Sequence, residues 1–211
     1  MLKYISGSFR ILLPILLLFV VLVLSACGGA PSQTQGVPAT GETAIPTQEN
    51  PVAPETNPVG DIPDSQVFVN YVASPGNYSL DVPEGWARTN NGSDVRFVDK
   101  FDGLSISITE AASAPTADSV QKNETAALKA AGHAFEVGKI TELDLPGGHA
   151  VKITATANSE PDPVTGKQVR LEEDIYIFFH TGTEAMLQLW APQGADNVDQ
   201  WKRISESFQW K

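Results

Sequence analysis

The segment YSLDVPEGW, residues 78–86, decides the fold class of this chain. From Tyr78 to Val82, apolar and polar side chains alternate, which is the period of a β-strand with one buried face. The Pro83-Glu84-Gly85 sequence that follows has the composition of a tight turn. We therefore predict a half-buried strand that ends in a turn just before Trp86.

The same period recurs downstream and predicts an antiparallel sheet. The clearest hairpin joins two alternating runs through the turn Pro146-Gly147-Gly148, and a second hairpin turns at Thr181-Gly182-Thr183. With the first strand included, the predicted strands cover residues 78–82, 95–98, 104–109, 143–145, 151–157, 169–179 and 185–190.

Two helices complete the pattern. The first is predicted from Asp118 to Ala131, with Asp118 and Gln121 as a capping box and Gly132 as the C-terminal cap. The second begins after Asp196, its predicted N-cap, and its apolar side chains recur at helical spacing: Val198, Trp201, Ile204 and Phe208. The predicted fold is an α+β sandwich in which six or seven antiparallel strands pack against two helices.

Two segments at the ends of this domain resemble those of the PsbP/Mog1-like superfamily. They are YSLDVPEGW at residues 78–86, an aromatic strand that runs into Pro-x-Gly-Trp, and the closing helix WKRISESF at residues 201–208. The resemblance covers nearly all of residues 70–210 and implies the fold of that superfamily. Its members include extrinsic photosystem II subunits, a small-GTPase-binding nuclear import factor and bacterial lipoproteins. It therefore implies a non-enzymatic module that docks onto a protein partner, or alternatively a PsbP-like photosynthesis accessory factor.

Residues 1–26 have the layout of a bacterial export signal, with Lys3 and Arg10 ahead of the apolar stretch 11–24. That stretch is shorter than the roughly 20 residues that cross a bilayer as a helix. The segment Leu24-Ser25-Ala26-Cys27 resembles the lipobox of bacterial lipoproteins, which implies that the thiol of Cys27 is lipidated. Cys27 is the only cysteine, so no internal disulfide competes for it. We expect a lipid-anchored membrane protein that faces outside the cytoplasm, on the extracellular face or in the periplasm.

Residues 27–65 are predicted to carry the lipidated Cys27 and a disordered tether to a single domain at residues 66–211. Proline, small and polar residues fill the stretch from Gly28 to Ser65, which has too little apolar surface to offset the entropy of ordering. As a flexible coil this tether would reach about 35 Å. The domain has 12 basic and 20 acidic residues, and this negative charge argues against nucleic acid as a partner.

Acidic side chains supply the candidate ligand sites. Asp94, Asp99 and Asp102 around one turn, and Glu160 with Asp162 in a long loop, could offer oxygen ligands to calcium. Neither spacing matches an EF-hand loop, and solvated turn acids are the alternative interpretation.

Glu173 is a candidate of another kind, because alternation places it on the same face as Leu171, Ile175 and Ile177. A carboxylate buried there needs a partner, which Lys152 or a neighbouring strand backbone could provide. An unpaired acid in a cleft would instead be a candidate binding site, and a strand end that emerges into solvent is the interpretation set against both. Alternation also places Glu172 and Asp174 together on the opposite face.

The sequence assigns no catalytic residue, metal ligand or cofactor. The three histidines, His133, His149 and His180, are too scattered to form a recognisable zinc motif, and no Gly-x-Ser-x-Gly sequence is present. A hydrolase that uses a carboxylate pair stays open as an alternative, since two acids distant in sequence can lie about 5–9 Å apart in a fold.

Overall fold

The computed structural model describes residues 49–75 and 77–211. Strands dominate this part of the chain, and each strand pairing is antiparallel. In chain order the elements are β1 (Phe68–Val72), β2 (Tyr78–Pro83), β3 (Ala87–Asn91), β4 (Asp94–Asp99), β5 (Asp102–Glu110), α1 (Ala117–Lys122), α2 (Glu124–Ala131), β6 (His133–Leu145), β7 (Gly148–Asn158), β8 (Arg170–His180), β9 (Thr183–Pro192), α3 (Val198–Ser207) and β10 (Gln209–Trp210).

Two sheets form three layers with the helices. The large sheet has seven strands in the order β3-β4-β5-β9-β8-β7-β6, and the small sheet has the order β1-β2-β10. One face of the large sheet packs against the small sheet and α3, in a core that includes Leu187, Ile204 and Phe208. The opposite face packs against α1 and α2 through Val120 and Leu128. The predicted α+β fold class is therefore confirmed.

Strand β2 differs from the half-buried strand that was predicted. Tyr78, Leu80 and Val82 are buried as expected, but Ser79 is also buried, with 2% of its surface exposed. The reason is that β2 lies between β1 and β10, while the hydroxyl of Ser207 in α3 accepts a hydrogen bond from the N–H of Asp81. Both edges of β2 are thus paired, and α3 contacts the strand as well.

The first predicted helix is divided at Asn123 into α1 and α2. The predicted capping pair of Asp118 and Gln121 was wrong. Thr116 is the N-cap, and its hydroxyl accepts a hydrogen bond from the N–H of Ser119, because the extended backbone at Thr116 places the side chain over the first turn. Gly132 is the C-terminal cap of α2, as predicted.

The closing helix also differs at both ends. Its N-cap is Asn197 instead of Asp196, and Phe208 lies just past the last turn. Val198 does not join the apolar face, since 73% of its surface is exposed. The side chain of Asn197 does not cap its own helix, because it binds the chain upstream of β1.

That upstream chain was predicted to belong to the tether, whereas in the structure it lies on the domain. Asn197 accepts a hydrogen bond from the N–H of Ile62 at 2.6 Å and donates one to the carbonyl of Gly60 at 2.8 Å. The carboxylate of Asp61 accepts from the N–H of Asp196, and Ile62 is 5% exposed. Paired backbone groups therefore hold a segment that has little apolar surface of its own. We call residues 60–64 the docked segment.

The predicted signal, the lipobox and Cys27 lie outside the described residues. None of the helices within residues 49–75 and 77–211 has both the length and the apolar character that a membrane span requires.

The Asn197→Ala variant tests how the docked segment is held. Removal of the amide leaves the buried N–H of Ile62 without its partner, which should lower the free energy of unfolding by about 1–3 kcal/mol. Limited proteolysis should then cut between residues 49 and 65 faster than in the wild type. Asp199→Asn, an exposed change in the same helical turn, serves as the control. Unchanged proteolysis of Asn197→Ala would show that other contacts hold the segment.

Candidate functional site

A cleft of about 770 Å³ lies between α3 and the large sheet where β6, β7 and β8 pair. We call it the α3 cleft. Its walls are partly apolar, with Leu143 and Leu145 from β6 and Trp201 from α3. Charged and hydroxyl side chains of the sheet form its floor: Lys152, Thr154, Glu172, Asp174 and Tyr176. Its size lies within the usual range for ligand-binding pockets in proteins.

Irregularities in β6 shape one side of the cleft. Its pairing with β7 shifts register between His133 and Glu136, and again between Val137 and Ile140. Such bulges bend a strand away from its neighbour and are common beside binding sites. Gly138 lies at the second irregularity, where a Cβ atom would come within 2.7 Å of the Thr154 hydroxyl. The sequence thus allows the close approach of β6 to β7 at this point.

Arg170 stabilises the side of the cleft that β6 forms. It is 3% exposed and donates to the carbonyl of Ala134, whose backbone has a left-handed φ of 46°. Arg170 also donates to Thr156 and to the carboxylate of Glu136, each at 2.6 Å. These contacts join the first irregularity of β6 to β7 and β8. Arg170 therefore holds the β6 wall of the cleft in place.

An ion pair occupies the floor. The ammonium of Lys152 lies 2.6 Å from the carboxylate of Asp174, to which the Tyr176 hydroxyl also donates at 3.3 Å. Burial by itself would lower the pKa of Lys152, but the hydrogen bond and charge of Asp174 outweigh it and raise that pKa. Burial and the charge of Asp174 raise the pKa of Tyr176. Lys152 therefore stays protonated, and the pair is neutral as a whole.

Glu172 lies on the same face of β8 as Asp174. It is half-buried, and burial is the main cause that raises its pKa, opposed by the backbone N–H of Gly194. No basic group lies within ion-pair distance of Glu172 in the described part of the chain. Among the residues that the structure describes, Glu172 is therefore a carboxylate of the cleft without a cationic partner.

Glu173 points to the other face of the large sheet, the face that its alternation with Leu171 and Ile175 predicted. It is 6% exposed, so the expectation of a strand end that emerges into solvent was wrong. The suggested partner Lys152 was wrong, because it lies on the opposite face, and Gln188 donates to Glu173 at 2.9 Å instead. Burial raises the pKa of Glu173 to about 7. A smaller cavity of about 220 Å³ adjoins Glu173, where the guanidinium of Arg96 stacks on Trp190.

The first group of calcium candidates has structural contacts of its own. Asp94 accepts a hydrogen bond from the N–H of Ile108. Asp99 and Asp102 pair across the β4–β5 turn. Asp102 is 6% exposed, and one of its oxygens has no hydrogen-bond partner among the described residues. Burial, followed by the charges of Asp99 and Asp61, raises the pKa of Asp102 to about 7.

The second group of calcium candidates, Glu160 and Asp162, also has contacts of its own. Asp162 accepts hydrogen bonds from Val164 and Thr165 in its own turn. Glu160 lies 3.0 Å from the ring of His133, on the other side of which Glu49 lies at 2.6 Å. Across residues 49–75 and 77–211, no group of three or more His, Cys, Asp or Glu side chains is arranged to hold a metal ion.

Sequence reasoning did not identify the α3 cleft. Alternation did place Glu172 and Asp174 together on the face opposite Glu173, which was the available signal. What it could not provide was the position of α3 over that face, since this depends on contacts between elements far apart in sequence.

Comparison with known proteins identifies the fold. No family model and no curated protein matches the sequence. Among solved structures, cyanobacterial PsbP (CyanoP) from Synechocystis sp. PCC 6803 matches with a TM-score of 0.51 and 16% sequence identity, over 72% of this chain and 99% of that one. The fold is PsbP/Mog1-like. At this identity the similarity shows the fold alone.

Two further structures match the PsbP/Mog1-like domain at lower scores. The Ran-binding protein Mog1p of Saccharomyces cerevisiae has a TM-score of 0.47 and 11% identity, over 69% of this chain and 96% of that chain. LpqN of Mycobacterium tuberculosis, which is involved in cell envelope biogenesis, has a TM-score of 0.39 and 17% identity, over 69% of this chain and 91% of that chain.

The raised pKa of Glu173 predicts a dependence of stability on pH. The folded protein binds the proton more tightly than the unfolded chain, whose carboxyl titrates near its ordinary value of 4.5. Stability should therefore fall as the pH rises from about 4.5 to 7, by about 3 kcal/mol from this group. Glu173→Gln should remove this loss in urea unfolding at a series of pH values, whereas the exposed Glu84→Gln should keep it. Parallel profiles for wild type and Glu173→Gln would contradict the prediction.

Proposed function

We propose that this protein is a lipid-anchored, extracytoplasmic binding module that engages a protein partner at the α3 cleft. The observation that carries the proposal is the cleft itself, which combines apolar walls, a fixed floor and a carboxylate without a cationic partner. The lipobox-like segment Leu24-Ser25-Ala26-Cys27 supports the location. The PsbP/Mog1-like fold is compatible with a module that docks onto other proteins.

Two features favour binding over hydrolysis by a carboxylate pair. The carboxyls whose pKa values are raised to about 7, Asp102 and Glu173, have side chains on opposite faces of the large sheet. They therefore cannot act on one bond from two sides, as a pair of glycosidase acids does. In the α3 cleft, Asp174 is already paired with Lys152.

The docked segment affects how far the module reaches from the membrane. Within the described residues, the upstream chain also contacts the domain at Glu49, whose carboxylate accepts a hydrogen bond from Asn158. With that chain bound, at most residues 28–48 remain for the proposed tether, which as a flexible coil would reach no more than about 25 Å. The cleft would then work close to the membrane that holds the anchor, within reach of a partner in the same membrane.

Lipidation is tested with Cys27→Ser. Because the thiol is the proposed acceptor, the variant should lose incorporation of labelled palmitate and should accumulate at the mass of the uncleaved precursor. Ser25→Ala, which keeps a small residue before the cysteine, should retain both label and cleavage. Label on the Cys27→Ser chain would refute the anchor.

Engagement at the cleft is tested by a photo-crosslinking amino acid at Val198, at the rim of the cleft, with the protein in its own host. The matched control is the same substitution at Val164, which is 90% exposed and lies outside the cleft. We expect one discrete protein adduct from position 198 and none from position 164. Equal adducts from both positions, or none from position 198, would refute docking at this cleft.

A further inference from the structure

We propose that the α3 cleft recognises a basic side chain, lysine or arginine, that stands beside an apolar residue in an extended segment of the partner protein. This inference rests on the proposed function, because it states the chemistry of the partner at the same cleft.

The charges that face the cleft leave one negative charge uncompensated. On the floor, Lys152 and Asp174 neutralise each other at 2.6 Å. At one end, Glu136 is paired with Arg170, also at 2.6 Å. On the α3 side the helix contributes one charge of each sign, Lys202 and Glu206. The carboxylate of Glu172 remains, and it has no cationic partner within residues 49–75 and 77–211.

The surroundings of Glu172 favour a cation as the guest. This carboxylate has lost part of its hydration, which is why its pKa is raised, and it has only the backbone of Gly194 in compensation. An ammonium or guanidinium beside it would restore the interaction that burial removed. An anionic ligand would be repelled by the net negative charge of the cleft. The charge of Glu172 therefore disfavours anions.

The apolar walls of the cleft can pack against the aliphatic part of a basic side chain. Lysine and arginine carry long aliphatic stems that pack along apolar surface while the charged end reaches a polar site. Leu143, Leu145 and Trp201 provide such a surface above the floor. Val198 stands exposed at the rim, where it can contact an apolar neighbour of the basic residue.

The position of the cleft favours a segment of a protein over a free small amine. Strand β6 is the last strand of the large sheet, so the cleft lies at a sheet edge and a chain can enter from the side. Along α3, the lining residues run from Val198 to Glu206, a distance of about 12 Å at the rise of an α-helix. That length corresponds to about three to four residues of extended chain.

The test is calorimetric titration of the full chain, purified in detergent with its anchor, with the acetylated and amidated tripeptide Leu-Lys-Leu. The uncharged comparison is the same peptide with norleucine in place of lysine. An ion pair at a partly desolvated carboxylate should make the lysine peptide bind about tenfold more tightly. Glu172→Gln should abolish this preference, while Glu184→Gln, a half-buried acid of β9 outside the cleft, should preserve it.

A second variant should shift affinity in the opposite direction. Lys152→Gln frees Asp174 from its ion pair and makes the floor more negative, so the lysine peptide should bind more tightly than it binds the wild type. A structural effect of the substitutions would not produce opposite changes at Glu172 and Lys152, and thermal melting of each variant verifies that it is folded.

The outcomes separate this inference from the proposed function. If both peptides bind equally and Glu172→Gln has no effect, recognition of a basic side chain is refuted, while docking at the cleft is not. If n-butylamine alone binds as tightly as the lysine peptide, the cleft takes a small amine and the partner segment is refuted. If neither peptide binds and the crosslinker at Val198 yields no adduct, both proposals fail.

Discussion

The two-residue alternation of β8 is the constraint on which the other layers depend. Ile175 and Ile177 face α1 and α2, whereas Tyr176 and Phe178 face the small sheet and α3. All four are nearly inaccessible to solvent, so a slip of one residue in register would exchange the contents of two cores. The same alternation sends Glu172 to the cleft and Glu173 to the opposite face. The packing of both cores and the position of Glu172 in the cleft therefore depend on the register of one strand.

One side of α3 packs into the core through Trp201 and Ile204, and the helix is also held beyond each of its ends. Beyond its C-terminal end, Phe208 stacks on Phe178 with ring centroids 4.3 Å apart, and it also stacks on Tyr78 at 5.9 Å. At its N-terminal end, Asn197 is bonded to Gly60 and Ile62. Between these attachments the helix lies over the charged floor of the sheet, where Lys152 and Asp174 need space for their own ion pair.

Much of the fold could be predicted because the core strands have clear apolar periods, as in β7, where Val151, Ile153 and Ala155 are buried. Strand β3 (Ala87–Asn91) was missed because all five of its residues are exposed, and only its ladder with β4 defines it. The docking of residues 60–64 was missed for a related reason, since it relies on hydrogen bonds of Asn197, Asp61 and Asp64 and on one buried side chain, Ile62, instead of an apolar pattern. At the site, sequence alone could place Glu172 on a face but could not reveal what covers that face.

Asn197 links the docked segment to the rim of the cleft. Asn197 binds the chain that leads back towards the predicted anchor, and it directly precedes Val198 at the rim of the cleft. The buried carboxyl of Asp102 lies beneath this attachment, about 3.0 Å from the position that a Cβ atom would take on Gly60. Because Asp61 is among the charges that raise the pKa of Asp102, the charge state of that carboxyl and the docking of the segment are linked. Loss of the proton from Asp102 adds repulsion with Asp61, so the contribution of this carboxyl to docking is lost as the pH rises towards and through about 7. The reach of the proposed tether thereby depends on contacts made inside the domain.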